Sequence, residues 1–178
     1  MAYRKIAMVF LSLALCLCAA CAKKAPEPEP EVPPAKPAPG PKLLLEYQEL
    51  SQELQCDKQK LPVLDVEANT LEPERVAPGG EVHHRLVYAF CPAPGGQAQQ
   101  GVLMRKLTLK GRTVFVDQDE NFALVPGRSA VDAYFLVPTA AEPGTYVLEV
   151  EFKGARGQRG AKPLSFSVKE VLFIGSQP

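Results

Sequence analysis

From residue 61 onward apolar and polar residues alternate with a period of two, and short clusters of Pro and Gly interrupt the alternation. Successive side chains on a strand point to opposite faces, so this pattern predicts half-buried strands separated by tight turns. Seven strands are countable, over 63–69, 81–91, 102–110, 112–116, 130–137, 146–152 and 164–168. The second carries Val82, Leu86, Tyr88 and Phe90 on one face, and the sixth carries Tyr146, Leu148, Val150 and Phe152. The breaks "APGG" at 77–80, "VPGR" at 125–128 and "EPGT" at 142–145 supply the φ values that turns need. The expected fold class is all-β: a seven-stranded antiparallel sandwich over 61–178.

Ahead of it the period changes. In "LLLEYQELSQELQC", Leu43, Tyr47, Leu50 and Leu54 fall at i, i+4, i+7 and i+11, the apolar stripe of one short amphipathic helix within 42–60. Glu46, Glu49 and Glu53 lie largely off that stripe, and Pro62 prevents further extension. Membrane-surface helices favour Lys and Arg on the polar face; this face is acidic, so the helix is expected to pack on its own domain.

The first 20 residues read differently again: Arg4 and Lys5 precede an uncharged apolar run over 6–17, followed by Ala19 and Ala20. That run is about 12 residues against the roughly 20 that a spanning helix requires, which is the layout of a removable secretory signal. "CAAC", Cys18 to Cys21 after Leu17, resembles the lipobox of bacterial lipoproteins, although Cys18 stands where that family usually has Leu, Val or Ile. The resemblance implies that Cys21 is lipidated (palmitate included) and becomes the mature N-terminus. With Ala22 and Lys23 in place of an Asp after it, the resemblance also implies an outer-membrane anchor; the localisation expected is the periplasmic face, an orientation that the sequence does not decide against the cell surface. The alternative is an ordinary cleaved signal and a free periplasmic protein. After Cys21 the linker to residue 41 includes "APEPEPEVPPAKPAPGP", a semi-rigid polyproline II spacer of roughly 50 Å at about 3.1 Å per residue.

"EPGTYVLEVEF" places Gly-x-Tyr at the start of the penultimate strand and resembles the tyrosine corner of immunoglobulin-like domains. Tyr146 would then bond a nearby backbone group. Leu148 stands where an antibody domain has its second cysteine, so the resemblance is to the wider class of immunoglobulin-like or fibronectin type III-like sandwiches. Strands alternating up and down bring Cys56 and Cys91 to one end, and a disulfide between them is expected in an oxidising compartment.

The 20 basic and 20 acidic residues balance, so no global field attracts nucleic acid. His83 and His84 are adjacent on a strand and face opposite ways, which prevents both from reaching one metal; His84 is expected half-buried with a partner and His83 exposed. "DQDENF" at 117–122 copies the opening of a calcium loop, but Phe122 stands where Gly is needed and Arg128 where Glu is needed, so an acidic turn is expected. No nucleophile elbow or phosphate-cradling glycine run occurs, and no metal, cofactor or enzyme activity is expected. Three long connections should meet at one end of the sandwich: 92–101, 117–129 and 153–162. Asp117 and Asp119 in the second and Arg156 and Arg159 in the third are the candidate partner-binding residues. The function expected is a non-catalytic, tethered protein-interaction or scaffold module of the envelope, with a glycan- or peptidoglycan-binding module as the alternative.

Overall fold

The computed structural model describes residues 40–155 and 163–175. In chain order the elements are β1 (Lys42–Leu45), α1 (Tyr47–Leu54), a 3-10 turn (Cys56–Lys58), β2 (Val63–Glu72), β3 (Arg75–Val76), β4 (Glu81–Cys91), β5 (Gln99–Leu109), β6 (Arg112–Leu124), β7 (Gly127–Leu136), β8 (Gly144–Gly154) and β9 (Ser165–Ile174). They form two sheets, β1-β7-β4-β2 and β3-β9-β8-β5-β6, packed as an open all-β sandwich with one short helix. All seven strands expected from the alternation are present, several of them longer; β1 and β3 raise the number to nine among the described residues.

Both additions correct the expected architecture. Leu43 belongs to β1, paired with Ser129 of β7, and not to the helix stripe. The run Leu43-Leu44-Leu45 has no period of its own, and the open edge of β7 decides its conformation. β3 lies parallel to β9, so the sandwich is not wholly antiparallel. Here the chain passes from one sheet to the other: Phe173 N–H donates to Glu74 O at 2.9 Å, Gly175 N–H donates to Val76 O at 3.0 Å, and Val76 enters the core.

The core lies between the sheets, where alternate residues of β4 (Val82, Leu86, Tyr88, Phe90), β5 (Leu103, Leu107, Leu109) and β8 (Tyr146, Leu148, Val150, Phe152) interdigitate. Tyr146 Oη donates to Glu142 O at 2.8 Å, the corner expected from "EPGTY". A smaller apolar cluster sits on the outer face of β4, where Leu50 of α1 covers Ala89 and Cys91. The Cys56–Cys91 disulfide is formed, with 35 residues of separation. Arg128 completes the attachment, holding Glu53 of α1 at 2.7 Å and Glu67 of β2 at 2.6 Å.

Pairing register brings three connections to one end, since Gln99 at the start of β5 lies opposite Leu124 of β6, and Gly101 opposite Gly154 of β8. The middle one is not the long loop expected. β6 runs through Leu124, leaving only Val125 and Pro126 before β7.

Candidate functional site

Asp117 and Asp119 therefore belong to a strand, where the sequence reading has a loop and an acidic turn. The cause is a β-bulge. Gly101 pairs with Phe122 and Leu103 with Asp119, so one residue of β5 faces two of β6, Glu120 and Asn121. The extra residue shifts the alternation, returns Phe122 and Leu124 to the core, and leaves Asp117 and Asp119 at the inward positions between Phe115 and Phe122. Asp119 Oδ1 accepts from Asn121 N–H at 3.0 Å, which braces the bulge.

Asp119 stays exposed, whereas Asp117 is partly covered and is compensated from β5. Arg105 occupies a core-facing position opposite Asp117, is 2% exposed, and donates through Nη1 to Asp117 Oδ2 at 2.9 Å. The guanidinium can only donate. Its Nε–H points to His84 Nδ1 at 3.1 Å, which makes Nδ1 the acceptor and places the imidazole proton on Nε2. That proton is donated to Asn69 Oδ1 at 2.9 Å. The chain Asp117–Arg105–His84–Asn69 thus crosses the core from the edge strand of one sheet to the edge strand of the other, with each orientation set by the one before. Burial, followed by the neighbouring Arg105 charge, lowers the His84 pKa to about 3, so the ring is neutral as the chain requires. Arg105 Nη2 and Asn69 Nδ2 are left without partners among the described residues.

At the β6 side of the sandwich the chain ends in a cleft of about 410 Å³, with Arg105, Asp117, Asp119, Glu120 and Phe122 on one wall and Val131 and Gly40 opposite. Arg105 neutralises Asp117, whereas Asp119 and Glu120 have no cation within ion-pair distance among the described residues. The cleft can therefore accept positive charge and hydrogen-bond donors.

Two of the residues singled out in the sequence, Asp117 and Asp119, are brought together here. Arg156 and Arg159 lie outside the described residues, as does Cys21. Sequence reasoning missed Arg105, although a charged residue at a core-parity position between Leu103 and Leu107 was a visible signal. It also underestimated the burial of both histidines, while placing them correctly on opposite faces with a partner for His84. His84 is fully buried with two partners, and His83 is partly covered, bonding Asp132 at 2.8 Å and stacking on Tyr134 with centroids 4.5 Å apart. Tyr134 itself is 48% exposed on the outer face. Among the described residues no group of three or more His, Cys, Asp or Glu is placed to hold a metal ion, and no helix is long and apolar enough to cross a membrane.

No protein-family model matches the chain, and no curated protein matches it. Among solved structures it is similar to the C-terminal domain of Wzt, with a TM-score of 0.47 and 13% identity, covering 67% of this chain and 78% of that one. It is also similar to the Pseudomonas fluorescens alkylpurine DNA glycosylase AlkC, with a TM-score of 0.44 and 12% identity, covering 64% of this chain and 30% of that one. A third likeness is to Spo0M, a sporulation control protein from Bacillus subtilis, with a TM-score of 0.41 and 16% identity, covering 67% of this chain and 51% of that one.

Proposed function

We propose that this chain is a lipid-anchored envelope protein whose sandwich is a non-catalytic module for holding a protein partner. The observation that carries the reading is the acidic cleft. Asp119 and Glu120 stand without an ion-pair contact among the described residues, beside a partly buried Arg105–Asp117 pair, on a scaffold fixed by two sheets. Such an arrangement attracts and orients a basic partner more than it raises affinity. The lipobox-like "CAAC" and the proline-rich spacer support the tethered setting. Cross-linking in intact cells followed by purification is expected to capture a defined envelope protein, and Asp119→Lys is expected to abolish that capture. No protein captured from either form overturns the reading.

A second reading, a glycan-binding module, draws on Tyr134, an exposed ring stacked on His83 with Asp132 and Arg85 beside it. It predicts retention on purified peptidoglycan sacculi that Tyr134→Ala removes.

A further inference from the structure

β6 is 13 residues long, and among the described residues it pairs only with β5. It ends its sheet, so one row of its backbone N–H and C=O groups faces away from any strand. Such an edge is a template for another chain unless it is short, covered, or protected by charge. The bulge at Glu120 and Asn121 and a second register shift around Val114, opposite Leu107 and Thr108, break the regular spacing, which leaves 115–119 as the stretch that an added strand could match. Its solvent face is open at Val116 and Gln118, and its inner face presents Asp117 and Asp119 to the cleft.

We infer that this edge accepts an extended segment of a partner protein as an additional strand, with basic side chains at alternate positions facing Asp117 and Asp119. The inference rests on the protein-interaction reading and names its mode. Directly opposed side chains on neighbouring strands interact, and with a period of two the residues opposite Asp117 and Asp119 are themselves two apart. A Lys-x-Lys or Arg-x-Arg pattern therefore places both charges on the inner face. The uncompensated Asp119 and Glu120 favour such a segment. They also disfavour a second copy of this chain, because two β6 strands paired antiparallel about this stretch would set carboxylates against carboxylates.

The test uses the full chain and a capped nine-residue peptide of Thr and Val carrying Lys at two positions two apart. Two further peptides of the same sequence are N-methylated at alternate residues, one at odd and one at even positions. An added strand pairs through one edge only, so one methylated form is expected to bind at least tenfold more weakly and the other to bind as the parent does. The parent is expected to slow amide exchange within 115–119. Asp119→Lys is expected to weaken it at least tenfold without changing exchange in β8, which reports an intact fold. Equal binding of all three peptides means a charged patch and overturns the inference. So does protection of a different strand, or no binding at all. Capture of the envelope partner by the Asp119→Lys protein would overturn the inference while the interaction reading survives; retention on sacculi with no protein captured would overturn both.

Discussion

Arg105 stands at a position that the alternation of β5 assigns to an apolar side chain, and the core accepts it because two of its three guanidinium nitrogens find partners locally. Nη1 bonds Asp117 and Nε bonds His84, while Nη2 is buried without a partner among the described residues. Removing one member of a buried charged pair leaves the other uncompensated, which typically costs roughly 3–5 kcal/mol. Asp117 keeps 31% of its side chain in water, so Arg105→Ala is expected to cost less, roughly 2–4 kcal/mol in urea denaturation. His84 makes the same chain sensitive to acid. Its folded pKa of about 3 lies below the ordinary 6.5, so between those values the unfolded chain binds the proton and the folded one does not. Stability should thus be fully present above about pH 6.5 and fall as pH drops toward 3, with a slope approaching about 1.4 kcal/mol per pH unit. Carboxylates such as Glu53 and Glu149, whose pKa values are lowered by Arg128 and by Lys106, add to the loss only below their ordinary 4.5. Denaturation midpoints measured between pH 5 and 6.5 for the native chain and for His84→Gln therefore isolate the histidine; identical slopes in that window would contradict the assignment.

Among the elements, α1 has the fewest means of holding itself. It is eight residues long, has no side-chain N-cap bond, and buries only Leu50 fully. A helix of that length is unstable alone, and its attachment depends on Leu50, on Arg128 bonded to Glu53, and on the disulfide at the following turn. Closing this loop contributes about 4 kcal/mol in the chain-entropy model. Changing Cys56 and Cys91 together to Ala is expected to remove about that much global stability. Amide exchange in α1 and β1 should accelerate before that in β4, β5 or β8; uniform acceleration would show that the helix and the sandwich unfold as one unit. β6 illustrates the opposite case, in which tertiary pairing prolongs an element. "DQDENF" has the composition of a turn, yet Arg105 across from Asp117 and a one-residue bulge carry the strand through it.

At the scale of the whole molecule, the proposed spacer and anchor would decide where the cleft can act. If Cys21 is the lipidated N-terminus, Cys21→Ser is expected to move the protein from the outer-membrane fraction to the soluble periplasm; a substituted protein that stays in membranes, with no lipid found on the native one, would refute the anchor. The folded part divides along a clear physical line. Alternation along the chain was enough for the seven long strands, because inward and outward positions are a local property of each strand. The corner at Tyr146 and the Cys56–Cys91 bridge were legible too, since one is a local motif and the other follows from strands that alternate in direction. What the sequence alone left undetermined depends on neighbours distant in the chain: β1 as a strand, β3 parallel to β9, and β6 continuing through its carboxylates. The candidate site divides in the same way. Asp117 and Asp119 could be picked out by charge, but their setting required Arg105 from β5, His84 from β4 and Asn69 from β2, and only the packing of two sheets brings those three strands to one chain of hydrogen bonds.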